Sequence, residues 1–303
     1  MRAAIAGMML GLAATAAMAQ PRMRAPVAPA IPLLSLGDDF DGVALAPAWT
    51  LFHQAYGWPD KIKSLEVGKA QAGVLTLQPY HSAWVRDLNA PFLFKTVAGD
   101  FDVRARVRVR GLNGPVPGGT WSLGGLMARV PNGNKADGWR PRAENWHFIT
   151  TGVGHEAGKP MTETKGTYNS YSSLKLRPWN SGWTELRLVR VGMALFALAR
   201  PDANSPWQVR DRFYRMEGNP AMQVGLIAYT HSIDVPEERE DPERINALVL
   251  KDARVDMAMD VDWIRFAPPR PAPVNDWYGQ VSGANRLADP NLSEAEILAA
   301  LRA

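Results

Sequence analysis

The segment "GDFDVRARVRVRG" at residues 99–111 alternates apolar and charged side chains with a period of two. In an extended strand, this period places successive side chains on opposite faces of a sheet. One face would carry Phe101, Val103, Ala105, Val107 and Val109, and the other Asp102, Arg104, Arg106, Arg108 and Arg110. The segment therefore predicts a half-buried β-strand with a basic outer face.

The same alternation recurs along the middle of the chain. It appears in "TELRLVRV" (184–191), "MQVGLIAY" (222–229) and "RVDMAMDVDWIRF" (254–266). Turn-forming segments such as "PNGNKADG" (131–138) and "PDANSP" (201–206) separate the runs. Many short strands with turns of this kind are typical of antiparallel sandwiches and barrels. We predict an all-β fold, an antiparallel two-sheet jelly-roll sandwich.

The two ends of the chain differ from its middle. Residues 1–19 contain Arg2, an apolar run and Ala17-Met18-Ala19, the order of a secretory signal peptide, which predicts an exported protein, periplasmic or extracellular. Residues 20–35 are a Pro/Ala-rich linker, 36–268 the sandwich domain, and 269–303 a Pro-rich linker with a short helical tail. Ser293 and Glu296 have capping-box spacing before "ILAALR", which predicts that helix.

The composition and charge of the chain limit the classes of binding partner that we expect. The formal net charge of +4 is not concentrated in a Lys/Arg run, so we expect no nucleic-acid partner. Outside the signal, no stretch approaches the roughly 18 apolar residues of a membrane span, and none is expected. The chain has no cysteine, which excludes disulfides and thiolate metal sites.

Several segments occur in a recognisable order: "DDFDGVALAPAWT" (38–50), "WVRDLNAPFLFKTVAGDFDVRARV" (84–107), "GGLMARV" (124–130), "ENWHFITTGV" (144–153), "WTELRLVRVG" (183–192) and "VDWIRF" (261–266). In these segments the chain resembles the concanavalin A-like lectin/glucanase jelly-roll superfamily. It is most similar to the bacterial laminin-G-like branch, which includes the C-terminal sandwich domain of some β-xylosidases. The resemblance covers residues 36–268 and implies the jelly-roll fold.

The resemblance leaves the function open. Members include carbohydrate-binding modules, glycoside hydrolases and polysaccharide lyases, and a fold alone does not decide among them. The superfamily's glucanase signature, acidic residues spaced E-x-D-x-x-E along one strand, is missing here. No cofactor is required, but the resemblance implies a structural calcium ion near the joined chain ends, with Asp39, Asp41 and Asp262 as ligands beside Asp38 and Asp260. Alternatively, the aspartates of "DDFDG" cap a turn.

Candidate acid and base groups lie in "ENWHFITTGVGHEAGKPMTETKGT" (144–167). Trp146 and Phe148 would face the core, so that Asn145 and His147 would point out of the sheet. If the next strand keeps its register, Glu163 and Lys165 would share that outer face with His147. Such a trio could act as general base and charge stabiliser in polysaccharide cleavage. The alternative is an ordinary exposed ion pair beside a surface histidine.

For a hydrolase, two carboxyl groups must flank the scissile bond. Glu144 and Glu163 are the pair that we nominate.

Tryptophans and planar polar groups indicate a glycan site, because sugar rings stack on indole rings. The candidate ligand-binding residues are Trp84, Arg86, Asp87, Asn89, Trp139, Asn145 and Trp179.

Two functions of different classes follow. The first is an exported carbohydrate-binding protein that recognises a glycan or polysaccharide on the concave face of the jelly roll. The alternative is a polysaccharide-degrading enzyme, a glycoside hydrolase or lyase, that uses the acid-base residues above. A third reading is an envelope module whose tail, with "NDWYGQ" (275–280) and the helix, docks on a protein partner.

Overall fold

A computed structural model describes residues 32–214, 221–231, 241–251, 254–271 and 286–302. The predicted signal peptide and the segment "NDWYGQ" lie outside the described residues. No helix among the described residues is long and apolar enough to cross a membrane.

The described residues form fourteen strands and a few short helices. The strands are β1 (Thr50–Leu51), β2 (Ile62–Val67), β3 (Leu75–Pro79), β4 (Phe92–Ala98), β5 (Phe101–Arg110), β6 (Ser122–Arg129), β7 (Trp146–Val153), β8 (Pro160–Tyr168), β9 (Tyr171–Pro178), β10 (Thr184–Val191), β11 (Ala194–Arg200), β12 (Gln208–Phe213), β13 (Ala221–Thr230) and β14 (Ala258–Ala267). The α-helices are α1 (Phe52–Tyr56), α2 (Pro242–Asn246) and α3 (Glu294–Leu301), with 3-10 helices at Leu33–Leu36 and Arg286–Ala288.

The strands pair into two seven-stranded sheets. The front sheet has the order β1-β4-β13-β6-β7-β8-β9, and the back sheet has the order β12-β11-β10-β5-β14-β3-β2. Every pairing between these strands is antiparallel. The predicted antiparallel two-sheet sandwich is therefore confirmed.

The space between the sheets is filled by the side chains that period-two alternation selects. Val103 and Val107 of β5 meet Ile149 of β7 and Leu226 of β13 in one buried cluster. Each of these residues is fully buried. Burial of such side chains is worth about 1.5–3 kcal/mol each, so this core is the main source of stability in a chain without disulfides.

The front sheet is also buried on its outer face. There, α1 and neighbouring loops cover a second cluster, which we call the aromatic cluster. Its large rings are Phe52, Tyr56, Trp58, Trp84, Phe92, Phe94, Trp146, Phe148 and Tyr229. Apart from the partly exposed edge strand β9, this sheet therefore has no broad solvent-exposed face, and alternation along its other strands separates two buried environments.

The outer face of the back sheet carries the predicted basic stripe of β5. Arg104, Arg106, Arg108 and Arg110 are partly exposed, and the apolar residues between them are buried. Two buried carboxylates anchor the stripe, since Asp102 accepts hydrogen bonds from Arg104 and Arg187, and Asp260 from Arg108 and Arg110.

Acid is expected to weaken this anchorage. Burial alone would raise the pKa of Asp102 and Asp260, but hydrogen bonds from their arginine partners hold both pKa values below the usual range. A carboxyl with a lowered folded pKa adds stability above its unfolded pKa of about 3.9, and that stability is lost as the pH falls through the folded value. We expect the free energy of unfolding, from denaturant titrations, to fall steeply below about pH 4. Asp260→Asn should reduce the dependence of the free energy of unfolding on pH in this range. If the pH dependence of the variant equals that of the native protein, Asp260 is not its source.

The C-terminal helix α3 forms as predicted. The Ser293 hydroxyl accepts from the Glu296 backbone, and the Glu296 carboxylate accepts from the Ser293 backbone, which completes the capping box. Ile297 and Leu301 of the helix are buried with Trp207 and Val209 on the back sheet. This apolar face of the tail is covered by the chain itself.

Candidate functional site

Strand pairing fixes which candidate residues share a face of the front sheet. Thr150 of β7 lies opposite Glu163 of β8, and Phe148 lies opposite Lys165. Residues directly opposite in a ladder point to the same side of the sheet. Glu163 and Lys165 are therefore on the face of Trp146 and Phe148, which is the outer face of the front sheet.

The prediction that His147 shares this face is wrong. His147 alternates with Phe148 and lies opposite Gly166, so it points to the other side, as does the core residue Ile149. Its ring packs on Phe213 of the back sheet, with 4.2 Å between ring centroids. The parity of the strand was assigned correctly, but Trp146 and Phe148 are buried in the aromatic cluster rather than between the sheets.

Glu163, Lys165 and Tyr229 form a polar triad within the outer face. Lys165 Nζ lies 2.8 Å from Glu163 Oε1, and the Tyr229 hydroxyl donates to Glu163 Oε2. Lys165 also donates to the Trp84 carbonyl oxygen at 3.1 Å. The pKa of Tyr229 is raised well above its usual value, mainly by burial and to a smaller extent by the negative charge of Glu163. The phenol therefore remains a proton donor.

The triad has the groups for proton transfer but no access for a substrate. The Glu163 side chain is 0% exposed and that of Lys165 is 4% exposed. The aromatic rings of Phe148 and Tyr229 lie 5.2 and 5.6 Å from the ammonium group. In this arrangement the ion pair is closed off from solvent.

Glu144 belongs to a different network. Arg129 binds both of its carboxylate oxygens, at 2.7 and 2.6 Å. The same guanidinium donates to the Tyr56 hydroxyl at 2.6 Å and to Gln223 Oε1 at 2.7 Å. Burial would lower the pKa of Arg129, but the charge and hydrogen bonds of Glu144 raise it above its usual value.

The nominated carboxylate pair is not assembled. Glu144 precedes Thr150 by six residues, and Thr150 lies opposite Glu163. At about 3.3 Å per residue, the backbone positions of Glu144 and Glu163 are offset by roughly 20 Å along the strand direction, and the two carboxylates bind different partners, Arg129 and Lys165. Retaining or inverting hydrolysis needs a separation of about 5–10 Å.

Trp84 lies within the aromatic cluster on the outer face of the front sheet. It is fully buried and packs edge-on against Phe52 at 5.2 Å and Trp146 at 6.0 Å. Its Nε1 donates to the Pro91 carbonyl oxygen at 3.4 Å. A sugar cannot stack on this indole unless the segment that carries Trp84 moves away from the aromatic cluster. Trp84 is therefore a packing residue in this structure.

Arg86 and Asp87 line a pocket that stays open on the same side. The pocket has a volume of about 350 Å³ and includes Ser172 and Leu174 of β9. The Asp87 carboxylate accepts from the Arg142 backbone and the Ser170 hydroxyl. Asn89 is buried beneath this segment, where its backbone N–H donates to Asn246.

A second opening lies on the opposite side of the β8–β9 hairpin, and we call it the hairpin groove. It has a volume of about 530 Å³ and is lined by His147, Tyr168, Tyr171, Arg212, Phe213 and Tyr214, among others. Tyr171 is 67% exposed and Tyr168 is 48% exposed. Gly166 provides the space for the histidine, since a Cβ at this position would lie 2.7 Å from His147 Nδ1.

The turn of this hairpin places the two tyrosines side by side. Asn169 and Ser170 have φ angles of 46° and 62°, and positive φ at both central residues is the signature of a type I′ turn. Tyr168 and Tyr171 are directly opposite as a result. The sequence prediction missed them, although "YNSY" between two alternating runs was the available signal.

The remaining ligand-binding candidates are dispersed. Trp139 is half-buried against the aromatic cluster. Trp179 is half-buried beneath Arg210, and its Nε1 donates to Thr184 at 3.0 Å. Asn145 donates to the Ala143 carbonyl oxygen in its own loop and accepts from the Asn169 backbone in the β8–β9 turn. The structure does not gather these residues with Trp84 into one binding surface.

The predicted calcium ligands are engaged separately. Asp39 pairs with Arg265, Asp262 with Arg106, and Asp38 accepts from Trp49 Nε1 and the Phe40 backbone. Asp41 is exposed. Among the described residues, no group of three or more His, Cys, Asp or Glu side chains is placed to hold a metal. These positions therefore do not fit a calcium cage, and the calcium ion stays a prediction from the resemblance.

Comparison with known proteins gives structural matches only. No family model matches the sequence, and no curated protein matches it. The GH43 BlXynB protein from Bacillus licheniformis superposes with a TM-score of 0.51 at 12% identity, over 76% of this chain and 39% of that one. The xylan beta-1,4-xylosidase from Bacillus halodurans gives 0.51 at 11% identity, over 82% and 41%. A functionally unknown protein from Saccharomyces cerevisiae gives 0.46 at 16% identity, over 70% and 96%.

This chain spans about two fifths of the length of the two Bacillus chains. Identities this low carry information about the fold and not about activity. With the two antiparallel seven-stranded sheets, these matches show that the chain has the concanavalin A-like jelly-roll fold.

Proposed function

We propose that the protein is an exported glycan-binding protein whose binding site is the hairpin groove. The observation that carries the proposal is the pair of exposed rings, Tyr168 and Tyr171, at the border of an opening of about 530 Å³. Export rests on the signal-like residues 1–19.

The chemistry of the groove suits a carbohydrate. Apolar C–H faces of a sugar pack on aromatic rings, and its hydroxyl groups bond to the polar edges of Tyr, His and Arg. The volume is within the range of about 300–1,000 Å³ that small-ligand sites occupy. Arg142 lies over the ring of Tyr171, at 5.9 Å from the ring centroid, and helps to fix its orientation.

The pocket beside Arg86 and Asp87 is the second location to test. It is lined by Arg86 and Asp87, two of the predicted ligand-binding residues, and it has an exposed arginine and the apolar Leu174. None of the described residues that line it is aromatic, which leaves the hairpin groove with the stronger support.

The alternative function, a polysaccharide-degrading enzyme, has weaker support. Of the proposed catalytic trio, His147 lies on one face of the front sheet, and Glu163 and Lys165 lie on the other. The nominated carboxylates of Glu144 and Glu163 are also not adjacent. Catalysis by Glu163 and Lys165 would need the covering segment around Trp84 to open. Some structures with this fold are named xylosidases, so soluble xylan is the first polysaccharide to assay for both binding and release of reducing ends.

Tyr171→Ala is expected to weaken glycan binding about tenfold, because loss of one stacking ring removes roughly 0.5–1.5 kcal/mol beyond contact area. Affinity electrophoresis or calorimetry on a panel that starts with soluble xylan measures the effect. The matched control is Leu174→Ala, an exposed residue of the same strand on the opposite face.

The two variants separate the two locations. Loss of binding in Tyr171→Ala with native binding in Leu174→Ala supports the hairpin groove. The reverse result moves the site to the pocket beside Arg86. Native binding in both variants, or release of reducing ends by the native protein, contradicts a binding protein that uses this groove.

A further inference from the structure

The outer face of the back sheet carries a second, unrelated feature, which we call the Arg/Trp surface. Its members are Arg104, Arg106, Arg108, Arg110, Arg187, Arg200, Arg265, Trp183, Trp207 and Trp263. Across the ladder, Arg104 lies opposite Arg187 and Arg265, and Arg106 lies opposite Trp263. This surface adjoins the area covered by α3 and is separate from the hairpin groove.

Charges on this surface are layered. The Asp102 and Asp260 side chains are 5% and 2% exposed, whereas those of Arg104, Arg106 and Arg108 are 38%, 38% and 31% exposed. These two carboxylates therefore lie beneath the partly exposed guanidinium groups of Arg104 and Arg108. Arg106 instead pairs with Asp262, whose side chain is 32% exposed. Along β5, the exposed charges that a ligand meets are therefore mainly positive.

Each buried carboxylate serves two arginines. Asp260 Oδ2 accepts from Arg108 Nη2 at 2.7 Å and from Arg110 Nε at 2.8 Å, and Asp102 binds Arg104 and Arg187 at 2.8 Å. Arg104 and Arg108 bind these carboxylates through Nε and Nη2, and no hydrogen bond of their Nη1 groups is found within the described part of the chain. These N–H groups are available to an external anion.

Tryptophan rings hold the guanidinium groups in place. Arg106 and Arg108 both lie 4.7 Å from the centroid of the Trp183 ring, and Arg200 lies 4.5 Å from that of Trp207. Stacking of this kind reduces the side-chain entropy that a binding arginine would otherwise lose. The surface is therefore preorganised.

We propose that the Arg/Trp surface binds an anionic polysaccharide that carries carboxylate groups, such as a polyuronate. Alternate residues of a strand are about 7 Å apart, so Arg104, Arg106 and Arg108 present three donors in a line of roughly 14 Å. Planar guanidinium groups recognise carboxylates through paired hydrogen bonds. Exposed charges spaced by several ångströms, with acids interleaved beneath, fit one charge per sugar ring better than a dense phosphate backbone.

The test is a triple variant, Arg104→Gln, Arg106→Gln and Arg108→Gln. The fold should survive because Asp102 keeps Arg187 and Asp260 keeps Arg110 and Thr76. The probe is polygalacturonate at low and physiological salt. We expect affinity to fall at least tenfold in the variant, and binding by the native protein to weaken as salt rises. Arg140→Gln, an exposed arginine in the loop before β7, is the matched control.

The outcomes are distinguishable from those of the hairpin groove. Polygalacturonate binding that persists in Tyr171→Ala and is lost in the triple variant supports this second surface. An equal loss in Arg140→Gln would reduce the effect to net charge and overturn the proposal. Stronger binding of polyphosphate, DNA or anionic vesicles than of polygalacturonate at equal ionic strength would also overturn it.

Discussion

Lys165→Met is expected to lower the free energy of unfolding by about 3–5 kcal/mol, because it leaves the Glu163 carboxylate buried without its charge partner. The substitution preserves the length of the side chain, so the packing of its methylene groups against Phe148 and Tyr229 changes little. Chemical denaturation followed by tryptophan fluorescence measures the effect, which should appear as a lower midpoint with a similar slope.

The double variant Glu163→Gln with Lys165→Met is the matched control. It removes both charges and keeps an acceptor for the Tyr229 hydroxyl. A buried ion pair contributes little net stability relative to neutral groups of the same size, so most of the loss should be recovered. If Lys165→Met lowers the free energy of unfolding by less than about 1 kcal/mol, Glu163 and Lys165 are accessible to water in solution. That result would favour the enzyme alternative, which needs substrate access to this pair.

The buried, mutually paired arrangement of Glu163 and Lys165 changes how the polar segment 144–175 is understood. The sequence indicated strands there, and both strands form. It also gave the correct parity, since Glu144, Trp146 and Phe148 point to one side. It did not identify that side, because the front sheet is buried on both faces and aromatic content marks either one.

The fold was predictable from local patterns for a physical reason. Alternation in β5 and β14 reflects strands of the back sheet with one core face and one partly exposed face, and this is the case in which period two is most visible. The capping box of α3 was predictable because Ser293 and Glu296 satisfy each other's backbone within four residues.

Long-range cover was not predictable in the same way. The segment that includes Trp84 folds over β8 through bonds such as Lys165 Nζ to the Trp84 carbonyl oxygen, across 81 positions of the chain. No local period encodes such a contact. The predicted glycan residues were therefore chosen by type, and burial removed Trp84 and Asn89 from the accessible set.

Arg129 is the second position at which we expect a buried charge to have a large effect on stability. The sequence analysis did not identify it. It ends β6 with a 0% exposed side chain and connects Glu144, Tyr56, Gln223 and Asn132. Its guanidinium also stacks on the Tyr56 ring, 4.4 Å from the centroid. One residue thus joins the loop before β7 to α1 and β13.

Arg129→Met should therefore lower the free energy of unfolding by about 3–5 kcal/mol, since Glu144 would be left buried without a counter-charge. Arg129→Lys keeps the charge but cannot bind both carboxylate oxygens and the Tyr56 and Gln223 oxygens together, so it should cost less than Arg129→Met, on the order of 2 kcal/mol. A double-mutant cycle with Glu144→Gln, measured by denaturation, should give a coupling energy above about 1 kcal/mol. Additive losses would mean that Arg129 stabilises the fold through its contacts with Tyr56 and Gln223 and not through the ion pair.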